Sequence, residues 1–263
     1  MSFRLGDRIY KELLYLTCFD LTTENPLCVF TQLSDTSVET TAESTDVADK
    51  NGNLVKKIWK SKSCSVSGTN AFCNTNIVQL ASGSEAEFAS VGNEIIMPKM
   101  FHVNKGADVT LANFVDGTVR VAQYFGDGSI GKIYTLGEAA DADKFAVATG
   151  TGKLDLPTDP DAEMFYITYQ RKVESGSLIR NRADKFPSSI KVIMKATYYN
   201  PCKKNELKAD YIEFPSVQMS PEFTLPVNAD SATMDIAFDA EIDYCGTDKV
   251  LYNVYSADEI DAD

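Results

Sequence analysis

The sequence has few of the residues that enzyme active sites and metal sites require. It contains one histidine and six cysteines, and none of the cysteines forms a CxxC pair. Cys–His or Ser–His catalysis would depend on His102 alone, and this residue lies in a strand-like run where a packing role is expected. No nucleophile elbow, P-loop, HExxH or kinase motif occurs. These absences predict a protein that is not an enzyme and holds neither a cofactor nor a structural zinc ion.

Long apolar runs are absent as well. No stretch approaches the ~20 apolar residues of a membrane-spanning helix, and the first residues carry no apolar signal core. We therefore expect no membrane contact. Without a secretion signal, the thiols are expected to stay reduced rather than to pair as disulfides. The cysteines concerned are Cys18, Cys28, Cys64, Cys73, Cys202 and Cys245.

Positive charge is scarce. The chain has 38 acidic and 25 basic residues, which gives a formal net charge of −13. This balance argues against electrostatic wrapping of nucleic acid, which needs a basic face, but it does not exclude a protein that DNA passes without sticking. With 263 residues, 44% of them hydrophobic, the chain can form one large all-β domain or two smaller ones.

The most regular stretch that is present runs from Met234 to Tyr244. Alternate positions are apolar or aromatic, and the positions between them, apart from Ala237, are the acidic residues Asp235, Asp239, Glu241 and Asp243. Because successive side chains of a strand point to opposite faces, the stretch predicts a β-strand with one apolar and one anionic face. Four carboxylates on one face repel each other unless water or cations surround them. We therefore expect this face to look onto solvent, at an outer surface or in a water-filled channel.

Residues 37–67 predict a long hairpin. Its turn, Asp49–Asn53, contains Asn-Gly, which tolerates the positive φ of a tight turn. Alternation places one set of second-arm residues on a single face: Val55, Lys57, Trp59, Ser61 and Ser63. The same arm carries a basic cluster of Lys56, Lys57, Lys60 and Lys62. This cluster could contact phosphates or be a solvated face, but docking on an acidic patch of a neighbouring copy explains it better. Such a head-to-tail contact builds rings or filaments.

The segment after the hairpin predicts the best helix of this half of the chain. Its span is Ala71–Leu80, with Phe72, Ile77 and Leu80 on the buried side, and Gly83 closes it.

Residues 90–163 have a different character. Short strand-like pieces recur roughly every 8–12 residues between turns, which predicts a small barrel or sandwich. The run Gly126–Gly131 matches GxGxxG, but a strand rather than a helix follows it, so a hairpin turn is the better interpretation. We predict that residues 90–163 are an inserted small β domain. Residues 1–89 and 164–263, including the strong strand Met164–Val173, then form one discontinuous domain.

Several short motifs resemble phage structural proteins of the tail tube (major tail) type. Those similar to the C-terminal half of this family are Phe165–Gly176, Asn181–Pro187, Lys191–Ile193, Asn200–Cys202, Ile212–Pro215 and Asp243–Cys245. The segment from Val38 through the turn at Asp49 to Gly68 is similar to the family's long hairpin.

The resemblance implies a mainly β fold, a tail-tube-type β-sandwich or barrel with a long hairpin and one short helix, plus the inserted small β domain on the outer face. It implies rings, usually of six subunits, whose sheets join into one inner barrel and which stack into a tube for the genome. Asp235, Asp239, Glu241 and Asp243 would then face the lumen and repel DNA phosphates. Lys191 and Lys195, if they lie in the same sheet and point inward, would partly neutralise the negative charge of the wall.

The partners that the resemblance implies are other copies of the chain, tail proteins such as sheath, terminator or baseplate, and passing DNA that is not bound specifically. The implied location is the virion tail, after synthesis in the host cytoplasm.

Two other function classes stay open. The first is a capsid decoration or head–tail connector protein with Ig-like modules, which would differ from a tube subunit in copy number and position in the particle. The second is a small-ligand or sugar-binding β-sandwich, which requires an exposed aromatic cluster. Tyr198, Tyr199 and Tyr211 are its candidates, although core packing explains them better.

Overall fold

The computed structural model describes residues 6–201, 203–228, 232–242 and 248–256, with the backbone alone for residues 203–205. Over this part of the chain it forms seventeen strands and one helix, so the predicted mainly β class is confirmed. In chain order the elements are β1 (Ile9–Asp20), β2 (Pro26–Phe30), β3 (Leu33–Ala48), β4 (Leu54–Asn70), α1 (Thr75–Ser82), β5 (Glu87–Phe88), β6 (Ile95–Asn104), β7 (Val109–Thr110), β8 (Arg120–Tyr124), β9 (Ile130–Leu136), β10 (Lys144–Val147), β11 (Lys153–Asp155), β12 (Met164–Val173), β13 (Ser177–Leu178), β14 (Ser189–Asn200), β15 (Lys203–Met219), β16 (Met234–Ala240) and β17 (Asn253–Ser256).

The first of two compact units comprises Met1–Glu85 and Ile179–Asp263. Its strands join one sheet in the order β2-β1-β14-β15-β16-β4-β3, and β17 also pairs with β15. Every pairing in this sheet is antiparallel. One face buries an apolar core to which strands across the whole sheet contribute, including Leu16, Phe30, Val66, Met194, Phe214 and Phe238. Since distant strands share this core, the sheet curls around it and leaves its other face polar.

Strands β3 and β4 form the predicted long hairpin. The Asp49 carboxylate accepts hydrogen bonds from the backbone N–H groups of Asn51 and Asn53, each at 2.8 Å. Gly52 supplies the positive φ, +85°, that this turn needs. The tight turn expected from Asn-Gly is therefore confirmed.

A bulge in β4 changes which side chains share a face. Glu43 pairs with Ser61, but the next residue of β3 pairs with Trp59, so Lys60 is the extra residue. Because such an insertion reverses the alternation, Lys57 and Trp59 lie on the opposite face from Ser61. The prediction of a single shared face for this arm is wrong for that reason.

The helix is shorter than predicted. It begins at Thr75, because Asn74 is its N-cap and accepts a hydrogen bond from the backbone of Asn76. Ile77 is buried as expected, whereas Phe72 precedes the helix and is exposed. Gly83 ends the helix in the left-handed region, where a Cβ atom would collide with the backbone of Phe186.

The second compact unit comprises Ala86–Leu178. It contains a seven-stranded sheet in the order β6-β12-β8-β9-β10-β11-β7, in which only β9 and β10 among the described strands run parallel. Its own core includes Val121, Tyr134, Phe145, Phe165 and Ile167. The short ribbon of β5 and β13 pairs the beginning of the unit with its end.

The boundaries of this unit differ from the predicted insertion, residues 90–163. The prediction places β12 in the discontinuous domain, but the strand pairs along its whole length with β6, and its residues 164–168 also pair with β8. It is therefore an interior strand of the second unit. The GxGxxG run connects β8 to β9, with Gly128 at φ +91°, and this confirms the predicted hairpin turn.

Candidate functional site

The candidate site is the polar face of the large sheet around β16. Burial alternates along this strand as the sequence predicts: Met234, Ile236 and Phe238 are buried, whereas Asp235 and Asp239 are exposed. The described strand ends at Ala240, four residues before the predicted end. Asp243, the last carboxylate of the predicted row, lies outside the described residues.

Hydroxyl groups surround these two carboxylates. Asp235 lies opposite Thr69 of β4 and accepts a hydrogen bond of 2.7 Å from its side chain. Asp239 lies opposite Ser65. The adjoining strand β3 continues the same chemistry, with side-chain pairs Ser37–Ser67 at 3.0 Å and Thr41–Ser63 at 2.8 Å. This half of the face is therefore a hydroxyl-rich surface with negative charge.

Glu241 lies just past the end of β16 and differs from its two neighbours. Its carboxylate accepts hydrogen bonds from Ser189 at 2.5 Å and Ser216 at 3.2 Å, and its side chain is half-buried. Its backbone N–H donates to the Ser216 carbonyl at 2.9 Å. The fold thus fixes Glu241 in place, whereas the carboxylate of Asp239 points into solvent.

Lysines do share this face, over β14. Lys191 forms an ion pair of 2.8 Å with Glu213 of β15, which also accepts a hydrogen bond of 2.6 Å from Tyr255. This pairing lowers the pKa of Glu213 and raises the pKa of Lys191. Lys195 is buried, with its ammonium 5.8 Å from the ring centres of both Tyr15 and Tyr211.

The sequence does not mark Glu213 as the partner of Lys191, because Glu213 lies opposite Ile193 and meets Lys191 only diagonally across the β14–β15 pair. As a consequence, the positive charges are neutralised or covered locally. They do not offset the acidic residues of β16.

One of the four hairpin lysines, Lys57, has partners. Its ammonium lies 3.7 Å from the Asp46 carboxylate and 5.5 Å from the centre of the Trp59 ring. The others, Lys56, Lys60 and Lys62, are exposed and have no acidic partner among the residues that the structure describes. The end of the hairpin also exposes large apolar side chains, namely Val47, Leu54, Val55, Ile58 and Trp59. Exposed apolar side chains gathered in this way are typical of a contact surface.

A protein-family model matches almost the whole length of the chain. Residues 9–250 match the model of the YomU/Tube protein family. The chain belongs to this family. The resemblance to phage tail tube proteins is thereby confirmed, and the chain is a tube-type structural component of a virion. No curated protein matches the sequence.

Membership of the YomU/Tube family argues against the sugar-binding alternative for this tube protein. Tyr198 is buried and packs edge-on against Tyr10, and Tyr211 covers Lys195. Tyr198 is therefore a core residue, as core packing predicts, and Tyr199 and Tyr211 are half-buried rather than exposed. His102 lies on a solvent-facing position of β6 in the second unit, where it stacks on Tyr124 with 5.3 Å between the rings.

The described residues hold no group of three or more His, Cys, Asp or Glu side chains placed to bind a metal ion. Across these same segments, no helix has both the length and the apolar character that crossing a bilayer requires.

Proposed function

We propose that this chain is the subunit of a phage tail tube, that six copies form each ring, and that the genome is ejected through the stacked rings. The observation that carries the proposal is the two-sided sheet. One face encloses the core, while the part of the other face over β16, β4 and β3 bears exposed carboxylates and hydroxyls without a cationic partner among the described residues. In the proposed tube this face lines the lumen.

An acidic, hydroxylated wall suits a channel for DNA. Fixed negative charges repel phosphates, so the DNA passes without the tight contacts that lysine and arginine would form. The lysines that share the face do not spoil this property, because Lys191 is paired with Glu213 and Lys195 is covered by two tyrosine rings. Asp235 and Asp239 are the residues that we assign to the lumen, together with Glu241 and, by sequence alone, Asp243.

The open edges of the sheet support the formation of rings. Strand β3 is sixteen residues long and pairs only with β4 among the described strands, so its outer edge presents free backbone N–H and C=O groups. Such an edge is a template for pairing with another chain. Pairing it with the sheet of the next copy would continue the sheet around a ring and leave a wide, wet channel.

The hairpin is the proposed contact between copies. Lys56, Lys60 and Lys62 lack acidic partners among the described residues, and the chain as a whole has a net charge of −13. A locally basic hairpin on an acidic protein is attracted to an acidic patch of a neighbouring copy. The exposed Trp59 and Val55 would bury apolar area in the same contact, which is heterologous and therefore propagates.

Assembly is the first test. Purified protein is expected to form rings or tubes in negative-stain electron micrographs, with the tail initiator proteins added where the chain alone does not start a tube. Monomers alone at high concentration, in the presence of those initiators, would contradict the proposal. The position of the chain in whole particles separates a tube subunit, abundant along the tail, from a decoration or connector protein, which would lie on or next to the capsid.

Charge reversal tests the lumen. Phage that carry Asp235→Lys together with Asp239→Lys are expected to assemble tubes but to lose infectivity by ~10-fold or more, because the new cations hold DNA phosphates. The matched control is Asp116→Lys with Glu138→Lys, which makes the same change of charge at exposed positions of the second unit. Unchanged infectivity of the first variant, with intact tubes, would show that this face is not the lumen.

A further inference from the structure

Two buried cysteines lie directly opposite each other on neighbouring strands. Cys18 of β1 is the register partner of Cys28 of β2 in an antiparallel pair. Both side chains lie in the core of the first unit, with Cys18 0% and Cys28 9% exposed. Both are free thiols in this structure. Nothing in the proposed tube function uses them.

The geometry of an antiparallel pair suits a cross-link at these positions. Directly opposed residues have Cα atoms about 4.5 or 5.5 Å apart, depending on their place in the hydrogen-bond ladder. A disulfide accommodates Cα separations of about 4.4–6.8 Å. Opposed residues of an antiparallel pair point to the same face, and both side chains lie in the same core cluster. A hydrogen bond between the thiols raises the pKa of Cys18 and lowers the pKa of Cys28.

We propose that Cys18 and Cys28 are a thiol pair that closes to a cross-strand disulfide when the protein passes from a reducing to an oxidising solution, with a low-molecular-weight disulfide such as oxidised glutathione as the oxidant. The cross-link ties the edge strand β2 to β1. Cys64, which is buried in the same core, has no cysteine opposite it, because its register partner is Thr40.

The chemistry balances in two exchange steps. The Cys28 thiolate attacks one sulfur of oxidised glutathione, which forms a mixed disulfide and releases one glutathione thiolate. The Cys18 thiol then loses its proton to solvent and attacks the Cys28 sulfur, which forms the Cys18–Cys28 bond and releases the second glutathione thiolate. Two protein thiols are oxidised, one glutathione disulfide is reduced to two thiols, and no other co-reactant is needed.

Access to the pair comes from the position of β2. This strand is five residues long, pairs only with β1 among the described strands, and is joined to it by a turn with exposed residues 21–25. Short edge strands are the elements that open most easily in a folded protein. Opening of β2 exposes Cys28 before Cys18, and this exposure makes Cys28 the attacking thiol.

The experiment uses the full chain with Cys73→Ser, which removes the one exposed thiol among the cysteines that the structure describes. The native protein is incubated with oxidised glutathione, the remaining thiols are alkylated, and peptides are mapped by mass spectrometry without reduction. The expected product is a Cys18–Cys28 cross-linked peptide, about 2 Da lighter than the sum of its two parts. Hydrogen exchange of the β2 amides is expected to slow by ~10-fold or more, and reduction should reverse this.

Two variants control the result. Cys64→Ser is expected to give the same cross-linked peptide as the parent. Cys18→Ser is expected to trap glutathione on Cys28, because the second step is lost. Recovery of Cys18 and Cys28 as alkylated thiols from oxidised native protein would overturn the proposal, and so would a cross-link of either residue to a different cysteine. The parent chain gives this answer even where the Cys18→Ser variant fails to fold.

Discussion

The two halves of the polar face of the large sheet differ in whether their charged side chains have partners. Over β14 and β15, Lys191 and Glu213 form an ion pair supported by Tyr255, and Lys195 is covered by aromatic rings. Over β16 and β4, Asp235 has only a threonine hydroxyl, and Asp239 has no hydrogen-bond or ionic partner among the described residues. Charge that the fold partly buries is compensated, while charge exposed on β16 is left unbalanced.

This difference separates what stabilises the fold from what we assign to the tube. Removing one partner of a compensated pair destabilises the folded protein, because the remaining charge is partly buried and unpaired. Uncompensated, exposed groups contribute little to stability. Substitutions over β14 and β15 should therefore lower stability, whereas substitutions over β16 should impair genome passage.

The largest effect is expected at a compensated carboxylate on the core side of the same sheet. Asp210 is fully buried and is held by Arg8 at 3.2 Å, Tyr10 at 2.8 Å and Ser256 at 2.6 Å. Asp210→Ala leaves these three groups without their acceptor and is expected to lower the free energy of unfolding by about 3 kcal/mol. Urea denaturation followed by fluorescence measures this loss. The matched control is Asp239→Ala, and equal losses in the two variants would refute the distinction.

A smaller effect is expected at the ion pair on the polar face. Glu213→Gln keeps the shape of the side chain but removes the charge that Lys191 faces, so the cost should be about 1–2 kcal/mol. Lys191→Met is expected to cost about the same, and the double variant should cost less than the sum of the two single variants. Additive losses would mean that the two residues do not interact in solution.

The same pair predicts a dependence of stability on pH. The pKa of Glu213 is lowered in the folded protein, so its contribution is complete above the ordinary glutamate pKa of 4.5 and is lost as the pH falls through the lowered value. The pKa of Lys191 is raised, so its contribution is complete below 10.5 and is lost as the pH rises through the raised value. Denaturation midpoints of the parent and Lys191→Met should converge at both extremes. A constant difference from acid to alkaline pH would contradict this.

The smallest effect on stability is expected at the proposed wall. Asp235→Asn combined with Asp239→Asn should change the free energy of unfolding by no more than about 0.5 kcal/mol, because asparagine can still accept from Thr69 and the second site is exposed. A loss of several kcal/mol in the same denaturation assay would show that these carboxylates hold the fold together.

Local patterns in the sequence predict several elements of this structure. The alternation around β16 and the Asn-Gly turn of the long hairpin depend on neighbouring residues alone, and both are present as predicted. The start of the helix was misplaced because the capping role of Asn74 outweighed the apolar pattern before it.

Pairings between distant segments could not be predicted in the same way. Alternation in Met164–Val173 identifies a strand but not its sheet, and its partners β6 and β8 lie far away in sequence. The ion pair of Lys191 with Glu213 depends on the register of β14 and β15, which sets Glu213 opposite Ile193 and diagonal to Lys191. Likewise, the bulge at Lys60 decides which hairpin side chains share a face, and no simple period in the sequence marks it.

A density map of the assembled tube tests the central claim most directly, at a resolution that shows side-chain positions. The account predicts rings of subunits in which Asp235 and Asp239 of every copy point into the channel, with β3 paired to the neighbouring subunit. A map in which these two carboxylates lie on the outside of the tube, or are buried between rings, would contradict it.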